Sequence, residues 1–320
     1  MKGKYEYDAI VGLSGGKDST YVLCQILKEY NLKVLAVTYD NGFLTDSTRE
    51  SIKNTVQNLG VDHYYHKPNW DTHRKLYKAT VTKLGDPCIA CAIGGYFLAI
   101  KGCYERKIPF FIHGRTPFQM YMNFYENSND VFLKLMNLNL AEHSFTEMSK
   151  VYNPVNEYVK ESIISLADTR QDAKEIADEF FVDSSELTQE FTPEFLAYFL
   201  FEQYDEEMIK NWLEHTIGWV KPVDDALLGH FDCEIHHAAE HMFREINDVD
   251  MLEAELATMV RFGAMGKEEA GKFIALHKPT ANDIESSLDS LCAACGINRE
   301  DLKNSLYALK RAGVSRFGAW

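Results

Sequence analysis

The feature that most limits how this chain can fold is a glycine-containing loop at residues 14–19, Ser-Gly-Gly-Lys-Asp-Ser. It follows an apolar run at residues 7–13, typical of a buried parallel strand, and precedes a helical pattern over 20–30. The two glycines let the backbone turn tightly and bring its N–H groups close to an anion, and the helix adds its positive N-terminal end. The spacings Gly-x-x-x-x-Gly-Lys and Gly-x-Gly-x-x-Gly are absent. We therefore predict a pyrophosphate-binding loop of another kind.

Short β-rich runs alternate with helical patterns through the first third of the chain. Strands are predicted at residues 7–13, 32–38, 63–66 and 109–113, and helices at 20–30, 47–59 and 91–104. Parallel neighbouring strands need a crossover between them, which a helix usually supplies. The predicted fold class is therefore α/β, a doubly wound parallel sheet, whose ligands bind at the carboxyl ends of the strands.

From about residue 144 the pattern changes to long amphipathic stretches with few β-branched clusters. These stretches span 157–181, 193–216, 235–262 and 267–276, and they predict a mostly helical C-terminal domain. We expect two domains whose edge lies within 145–190. Residues 1–150 would bind the phosphates, and residues 151–320 would serve substrate binding or oligomerisation, for example as a homodimer.

The distribution of charge limits the partners. The chain has 33 basic and 48 acidic residues, a formal charge of −15. Residues 1–150 contain 18 basic and 15 acidic residues and the rest contain 15 and 33, so the halves carry about +3 and −18. Because a nucleic-acid binder usually presents a broad basic face, nucleic acid is not the expected partner and a small-molecule acceptor is favoured.

The apolar pattern and the cysteines bear on localisation. The first eight residues lack an apolar signal segment, and we find no stretch near the roughly 18 uncharged apolar residues of a membrane span. Seven cysteines in a chain of 320 residues favour reduced thiols over a disulfide framework. We therefore predict a soluble, cytoplasmic protein without a membrane partner.

The loop after the first strand resembles that of the PP-loop, or N-type, ATP pyrophosphatases, whose sheet is of the adenine nucleotide alpha hydrolase-like kind. The resemblance implies ATP bound with Mg²⁺, attack on the α-phosphorus by a substrate oxygen, and release of pyrophosphate from an adenylated intermediate. It assigns ATP binding to Ser14, Gly15, Gly16, Lys17, Asp18 and Ser19. Of these, Lys17 would neutralise charge and Asp18 would place Mg²⁺ or the loop, and both are predicted to be catalytic.

The ends of two other strands are expected at the same edge of the sheet as the loop. Tyr39 and Asp40 follow the second strand, where members of the family hold adenosine, and Gly114 and Arg115 follow the fourth. We predict that Tyr39, Asp40 and Gly114 contact ATP. Arg115 is a predicted catalytic residue, because a cation facing ATP can stabilise charge on the α-phosphate or bind an anionic substrate.

The cysteines fall into two groups. Cys88 and Cys91 stand in a Gly/Pro-marked turn that leads into a helix, which favours a catalytic or metal-binding role, and Cys233 is the candidate third thiol. Three cysteines would suit a [4Fe–4S] cluster with one open iron, and zinc is the alternative. Cysteines in apolar, helix-like surroundings are predicted to be buried structural thiols: Cys24, Cys103, Cys292 and Cys295.

Three histidines follow Cys233. His236, His237 and His241 lie within one helical pattern, and the spacing of His237 and His241 places both on one face. The pair is a weaker candidate for a metal site.

Beyond the loop, the chain is similar to the N-acetyl sugar amidotransferases and to small-molecule thiolation enzymes. The segments that carry this similarity are 7–20, 85–88 with Cys91, 218–219, 232–233 and 261–270. The similarity implies transfer of nitrogen or sulfur to the adenylated acceptor. Nitrogen would require a glutaminase partner, and sulfur would require a thiol or cluster, with a sulfur-donor protein as partner. The cysteines favour sulfur, and sugar amidotransfer and tRNA thiolation are the alternatives.

Overall fold

The structure is a computed structural model that describes residues 2–115, 159–183, 191, 193–219, 233–261, 263 and 265–313. Its sheet has five parallel strands in the order β3-β2-β1-β4-β5. The strands are β1 (Ala9–Gly12), β2 (Val34–Tyr39), β3 (Asp62–His66), β4 (Phe110–His113) and β5 (Glu194–Ala197). The strand order reverses at β1, which pairs with β2 on one side and with β4 on the other. The predicted α/β class with a doubly wound parallel sheet is therefore confirmed.

Eleven named helices accompany the sheet in the described part of the chain. They are α1 (Lys17–Lys28), α2 (Asp46–Leu59), α3 (Trp70–Leu84), α4 (Pro87–Arg106), α5 (Arg170–Phe180), α6 (Glu206–Ile217), α7 (His236–Asn247), α8 (Met251–Arg261), α9 (Lys267–Leu276), α10 (Ala281–Cys295) and α11 (Arg299–Arg311).

Local sequence signals explain where the helices begin and end. The Thr45 side chain accepts a hydrogen bond from the backbone of Thr48 at the start of α2, and the Asp86 side chain accepts one from Cys88 at the start of α4. Such caps satisfy N–H groups that the helix itself leaves without partners. The amphipathic stretch predicted at 235–262 contains two helices, because Asp248 adopts the left-handed conformation (φ +57°) after α7.

The prediction of a helix over 193–216 is wrong for its first part. Residues 194–197 form β5, which pairs with β4 from Phe110↔Glu194 to His113↔Ala197. A 3₁₀ turn, Tyr198–Leu200, leads from β5 towards α6. The sheet thus takes its last strand from beyond residue 150, so the expected division at that residue does not coincide with the edge of the sheet.

The C-terminal helices share a core with the α/β part. Leu76 of α3 and Ile93 of α4 lie in one buried apolar cluster with Met242 of α7, Leu291 of α10 and Leu306 of α11. Burying this surface in common supplies the main favourable contribution to folding. The mostly helical character predicted for this region is confirmed.

Helix α4 lies inside this arrangement. By length and composition alone it could cross a membrane, contrary to our reading of the sequence, but 56% of its most apolar window is buried inside the protein. A core helix meets the same length and composition test. The first half of α4 packs into the apolar cluster shared with the C-terminal helices, and its second half packs into a separate cluster beside the sheet.

Candidate active site

The predicted phosphate loop joins the end of β1 to the start of α1, at the point where the strand order reverses. In open α/β sheets this crevice beyond the carboxyl ends of the strands is where ligands bind. Gly16 precedes α1 in extended conformation, and no side chain caps the helix there. The N-terminal end of α1 can therefore receive an external anion.

Two serines organise the loop. The Ser14 backbone N–H donates to Ser19 Oγ at 3.1 Å, and the two hydroxyl oxygens are 3.1 Å apart. Ser19 Oγ also donates to the Gly16 carbonyl oxygen at 3.1 Å. These bonds fold the loop back over the first turn of α1, so that both hydroxyl groups lie beside the same helix end.

Gly15 is required by both its conformation and its surroundings. Its φ is +90°, and a Cβ there would lie 2.9 Å from Ile52 Cγ1 and 3.1 Å from the Thr48 carbonyl oxygen. Ser51 Oγ donates to the Gly15 carbonyl at 2.8 Å. Contacts from helix α2 therefore hold the loop in its turn.

Lys17 and Asp18 form a charged pair at the start of α1. Lys17 Nζ lies 3.0 Å from Asp18 Oδ2 and 3.8 Å from Glu206 Oε1 of α6. Burial raises the pKa of Asp18 more than the contact with Lys17 lowers it. Asp18 Oδ1 is screened from solvent and has no hydrogen-bond partner in the described part of the chain. A carboxylate oxygen in that position fits Mg²⁺, which prefers hard oxygen ligands.

The end of β4 meets the loop directly. A Cβ on Gly114 would lie 3.0 Å from the Asp18 carbonyl oxygen, so the two backbones are in contact. The Arg115 guanidinium lies over the Tyr96 ring, 4.9 Å from its centroid, and the Arg115 backbone N–H donates to His113 Nδ1 at 3.2 Å. His113 is buried, which lowers its pKa to about 3. The site thus contains a neutral imidazole close to the Arg115 cation.

The end of β2 is more enclosed than the sequence suggested. The Tyr39 hydroxyl is hydrogen-bonded to Nε2 of the buried His73, and its ring lies against Gly94 of α4. Asp40 is buried, with Oδ2 3.1 Å from Arg49 and Oδ1 accepting from the Gly42 N–H at 3.0 Å. Burial alone would raise the pKa of Asp40, but these two donors outweigh it and lower the pKa. Both residues therefore have protein partners, and their predicted contact with ATP remains a prediction.

Two of the three candidate cysteines contact the same side chain, that of Asn41. Asn41 Nδ2 lies 3.5 Å from Cys91 Sγ and 3.6 Å from Cys233 Sγ, while its Oδ1 accepts from the Phe43 N–H at 2.8 Å. Asn41 follows β2, so both thiols lie at the same edge of the sheet as the phosphate loop. The contact of Asn41 with the two thiols was not predicted from the sequence, because nothing local links residue 41 to residues 91 and 233.

Cys88 lies in the first turn of α4, one turn before Cys91. The pKa of the buried Tyr77 hydroxyl is raised well above its ordinary value, first by burial and then by the charges of Cys91, Tyr39, Cys233 and Cys88. All three predicted thiols are therefore near enough to Tyr77 to influence its hydroxyl. The other four cysteines are buried in the core, as predicted; burial raises the pKa of Cys24 to about 11 and that of Cys295 to about 12.

The fit of these thiols to zinc can be tested on their spacing. Zinc–sulfur bonds of about 2.3 Å keep two sulfurs on one ion within about 4.6 Å. Among the described residues, His236, His237 and Glu240 form a set whose three ligand atoms all lie within 4.8 Å of one another. The three cysteines do not form such a set. In this arrangement the cysteine set does not fit a zinc ion, and the spacing leaves the iron–sulfur prediction untested.

Taken together, the parallel sheet, the strand-to-helix loop and its open helix end are consistent with an adenine nucleotide alpha hydrolase-like α/β fold and resemble those of the PP-loop ATP pyrophosphatases. Residues 8–86 match the family model described as queuosine biosynthesis protein QueC, a family of PP-loop ATP pyrophosphatases. The matched segment runs from the start of β1 to the N-cap of α4, and it ends before Cys88. No curated protein matches the chain.

Proposed function

We propose that this protein uses ATP and Mg²⁺ to adenylate an oxygen of a small-molecule acceptor and then replaces that oxygen with sulfur. The observation that carries the proposal is that Asn41 binds the Cys91 and Cys233 thiols at the sheet edge that also holds the phosphate loop. Adenylation and a thiol pair at one edge are the two requirements of an ATP-dependent sulfur transfer. Free thiols, which the cytoplasm keeps reduced, suit a cytoplasmic enzyme.

The loop supports the first step. Ser14, Ser19 and the N-terminal end of α1 would bind the β,γ-pyrophosphate, and Asp18 Oδ1 would hold Mg²⁺, which neutralises phosphate charge when bound. The acceptor oxygen attacks the α-phosphorus, the bond to the β-phosphate oxygen breaks, and pyrophosphate leaves. Lys17 and Arg115 are placed to stabilise the charge that develops on the phosphates.

The thiols support the second step. A persulfide on Cys91, supplied by a sulfur-donor protein, attacks the activated carbon with its outer sulfur; a carbon–sulfur bond forms, the carbon–oxygen bond breaks and AMP leaves. The Cys233 thiolate then attacks the Cys91 sulfur, which releases the product with a thiocarbonyl or thiol and leaves a Cys91–Cys233 disulfide. A thiol reductant supplies the two electrons that restore both thiols.

The chemistry of the acceptor follows from the leaving group. A carbonyl oxygen is a poor leaving group, and its AMP ester is a good one, so amides and lactams are the class of substrate that gains most from adenylation. A nucleobase-like acceptor is favoured, since the matched family model is named for biosynthesis of queuosine. The excess of acidic residues after residue 150 favours a small acceptor over tRNA.

The first step is tested by incubating the protein with ATP, Mg²⁺ and radiolabelled pyrophosphate, together with a panel of nucleobase, sugar and peptide amides and lactams. Acceptor-dependent exchange of label into ATP, with AMP as the nucleotide product, is the expected result. Formation of ADP and phosphate would overturn the proposal, because it places cleavage at the γ-phosphate.

The second step is tested with an acceptor that passes the exchange test. A single turnover with a persulfide donor is expected to give the sulfur-containing product with the parent protein and none with Cys91→Ser, whereas Cys292→Ala, which changes a buried core thiol, retains it. Product formation only with ammonia, in the parent and in Cys91→Ser alike, would instead establish nitrogen transfer. Iron, zinc and sulfide analysis of anaerobically purified parent and Cys88→Ala protein tests whether a cluster is present.

A further inference from the structure

A second group of metal-ligating side chains lies at the start of α7, shortly after Cys233, whose carbonyl oxygen accepts a hydrogen bond from the His236 N–H at 3.1 Å. His236 Nε2 is 3.3 Å from Glu240 Oε1, and His237 Nδ1 is 3.0 Å from Glu240 Oε2. The three ligand atoms all lie within 4.8 Å of one another. All three side chains are partly buried.

The sequence analysis paired His237 with His241 on the basis of helical spacing. The structure instead groups His237 with its neighbour His236 and with Glu240, because the two imidazoles turn toward the carboxylate from either side. Glu240 was missed, since a glutamate in a helical pattern is most often a solvated surface residue. Its position four residues after His236 and three after His237 was the available signal.

The backbone that carries this group is held by contacts from other elements. Ser287 of α10 bridges it: the Ala238 N–H donates to Ser287 Oγ at 2.9 Å, and Ser287 Oγ donates to the Glu234 carbonyl at 2.8 Å. The Glu234 N–H in turn donates to the Phe43 carbonyl at 2.9 Å. A helix start fixed from both sides reduces the conformational entropy that ligand binding must overcome.

The surrounding charge favours a cation. Glu240 contributes a carboxylate between the two imidazoles, and Asp283 of α10 is close enough to His237 for their charges to interact. The part of the chain after residue 150 carries a formal charge of about −18. An anion at this place would meet two carboxylates, whereas a divalent cation would be attracted by both.

We propose that His236, His237 and Glu240 form a binding site for a divalent transition-metal ion of the zinc type. Two imidazole nitrogens and one carboxylate oxygen are ligands that zinc takes in proteins, and three protein ligands leave a fourth position open to water or to a small molecule. The site shares no residue with the adenylation machinery, so it does not depend on the proposed function.

The experiment titrates the full-length protein, freed of metal with a chelator, with Zn²⁺ and separately with Co²⁺. Glu240→Gln and His237→Gln are each expected to weaken Zn²⁺ binding by at least tenfold, roughly the effect of disturbing a metal-ligand set. His241→Gln is the matched control on the same helix and is expected to bind as the parent does. Circular dichroism and thermal unfolding establish that each variant is folded, and His236→Gln replaces any variant that is not.

Co²⁺ distinguishes this site from one built on the cysteines. The expected visible spectrum shows cobalt d–d bands without a sulfur-to-cobalt charge-transfer band, and the d–d bands disappear in Glu240→Gln. Binding that persists unchanged in folded Glu240→Gln and His237→Gln would overturn the proposal. So would a spectrum dominated by sulfur-to-cobalt charge transfer, or an equal loss of affinity in His241→Gln.

Discussion

Gly114, which follows β4, is in direct contact with the backbone of Asp18 in the first turn of α1: a Cβ on Gly114 would lie 3.0 Å from the Asp18 carbonyl oxygen and 3.2 Å from the Ser19 nitrogen. The contact joins the two strand ends that flank the reversal of strand order, β1 through its loop and β4 directly. Because backbone atoms cannot move aside as a flexible side chain can, the residue at this position sets the distance between the phosphate loop and Arg115.

We expect Gly114→Ala to push the phosphate loop out of place. Overpacking of this kind costs about 1–3 kcal/mol of unfolding free energy, and the KM for ATP is expected to rise more than kcat falls. Urea unfolding and steady-state pyrophosphate release measure the two effects. Gly95→Ala in α4 is the control: a Cβ there meets nothing within 4 Å, and alanine in a helix is expected to add about 0.5–1 kcal/mol of stability. A Gly114→Ala protein with parental ATP kinetics would contradict this role of the contact.

Lys17 is expected to stabilise phosphate charge in the transition state. Lys17→Met should lower kcat/KM for ATP by roughly 10²–10³, the usual effect of removing one preorganised donor from a developing charge. Lys210→Met is the matched control, because Lys210 Nζ lies 2.8 Å from the same Glu206 oxygen but belongs to α6 and not to the loop. Equal losses in the two variants would show that both lysines act only through Glu206.

Asn41 is expected to control the reactivity of the thiols that it binds. Asn41→Asp keeps an oxygen for the Phe43 N–H but replaces the amide donor beside Cys91 and Cys233 with a negative charge. A neighbouring carboxylate disfavours the thiolate, so alkylation of both cysteines by iodoacetamide should slow by roughly tenfold. Mass spectrometry of the labelled peptides measures the rates.

Asn58→Asp is the control for that experiment. Asn58 Nδ2 donates to the Ile217 carbonyl at 3.5 Å in an exposed position, so its substitution changes the net charge by the same amount without approaching a thiol. Equal alkylation rates in Asn41→Asp and the parent would show that Asn41 does not control the reactivity of the two cysteines.

Acid is expected to destabilise the protein through two buried histidines. Burial lowers the pKa of both His73 and His113 from the ordinary 6.5 to about 3. Between these two values the unfolded chain binds protons that the folded protein does not, so stability falls as the pH is lowered from 6.5 toward 3. Each histidine contributes a slope of about 1.4 kcal/mol per pH unit at most.

The measurement is urea unfolding between pH 6.5 and pH 5, above the range in which most carboxylates titrate. His73→Gln should reduce the dependence on pH by about one proton. Stability that is constant over this range would show that the two imidazoles are protonated in the folded protein.

The phosphate loop and the first four strands could be predicted because their signals are local. Residues 14–19 follow a run of buried residues and precede a helix, and the structure places them so. Only the end of α10 was indicated, by the helix-like surroundings of Cys292 and Cys295, although Thr280 and Asp283 form a capping box at its start that was available as a signal. Strand β5 was missed because four residues in an amphipathic, aromatic-rich stretch do not show a period.

The amino-acid sequence by itself determined the parallel α/β sheet, the glycine-containing loop at the end of its first strand, and which cysteines lie in the core, since each depends on neighbours a few residues away. Only the tertiary structure decided that β5 completes the sheet, that Asn41 holds Cys91 and Cys233 together, and that Glu240 joins His236 and His237. The pairing of β4 with β5 and the contacts of Asn41 join residues that are 50 to 192 positions apart or separated by several helices. Such contacts form when the shared core between the sheet and the C-terminal helices closes, and no local pattern encodes them.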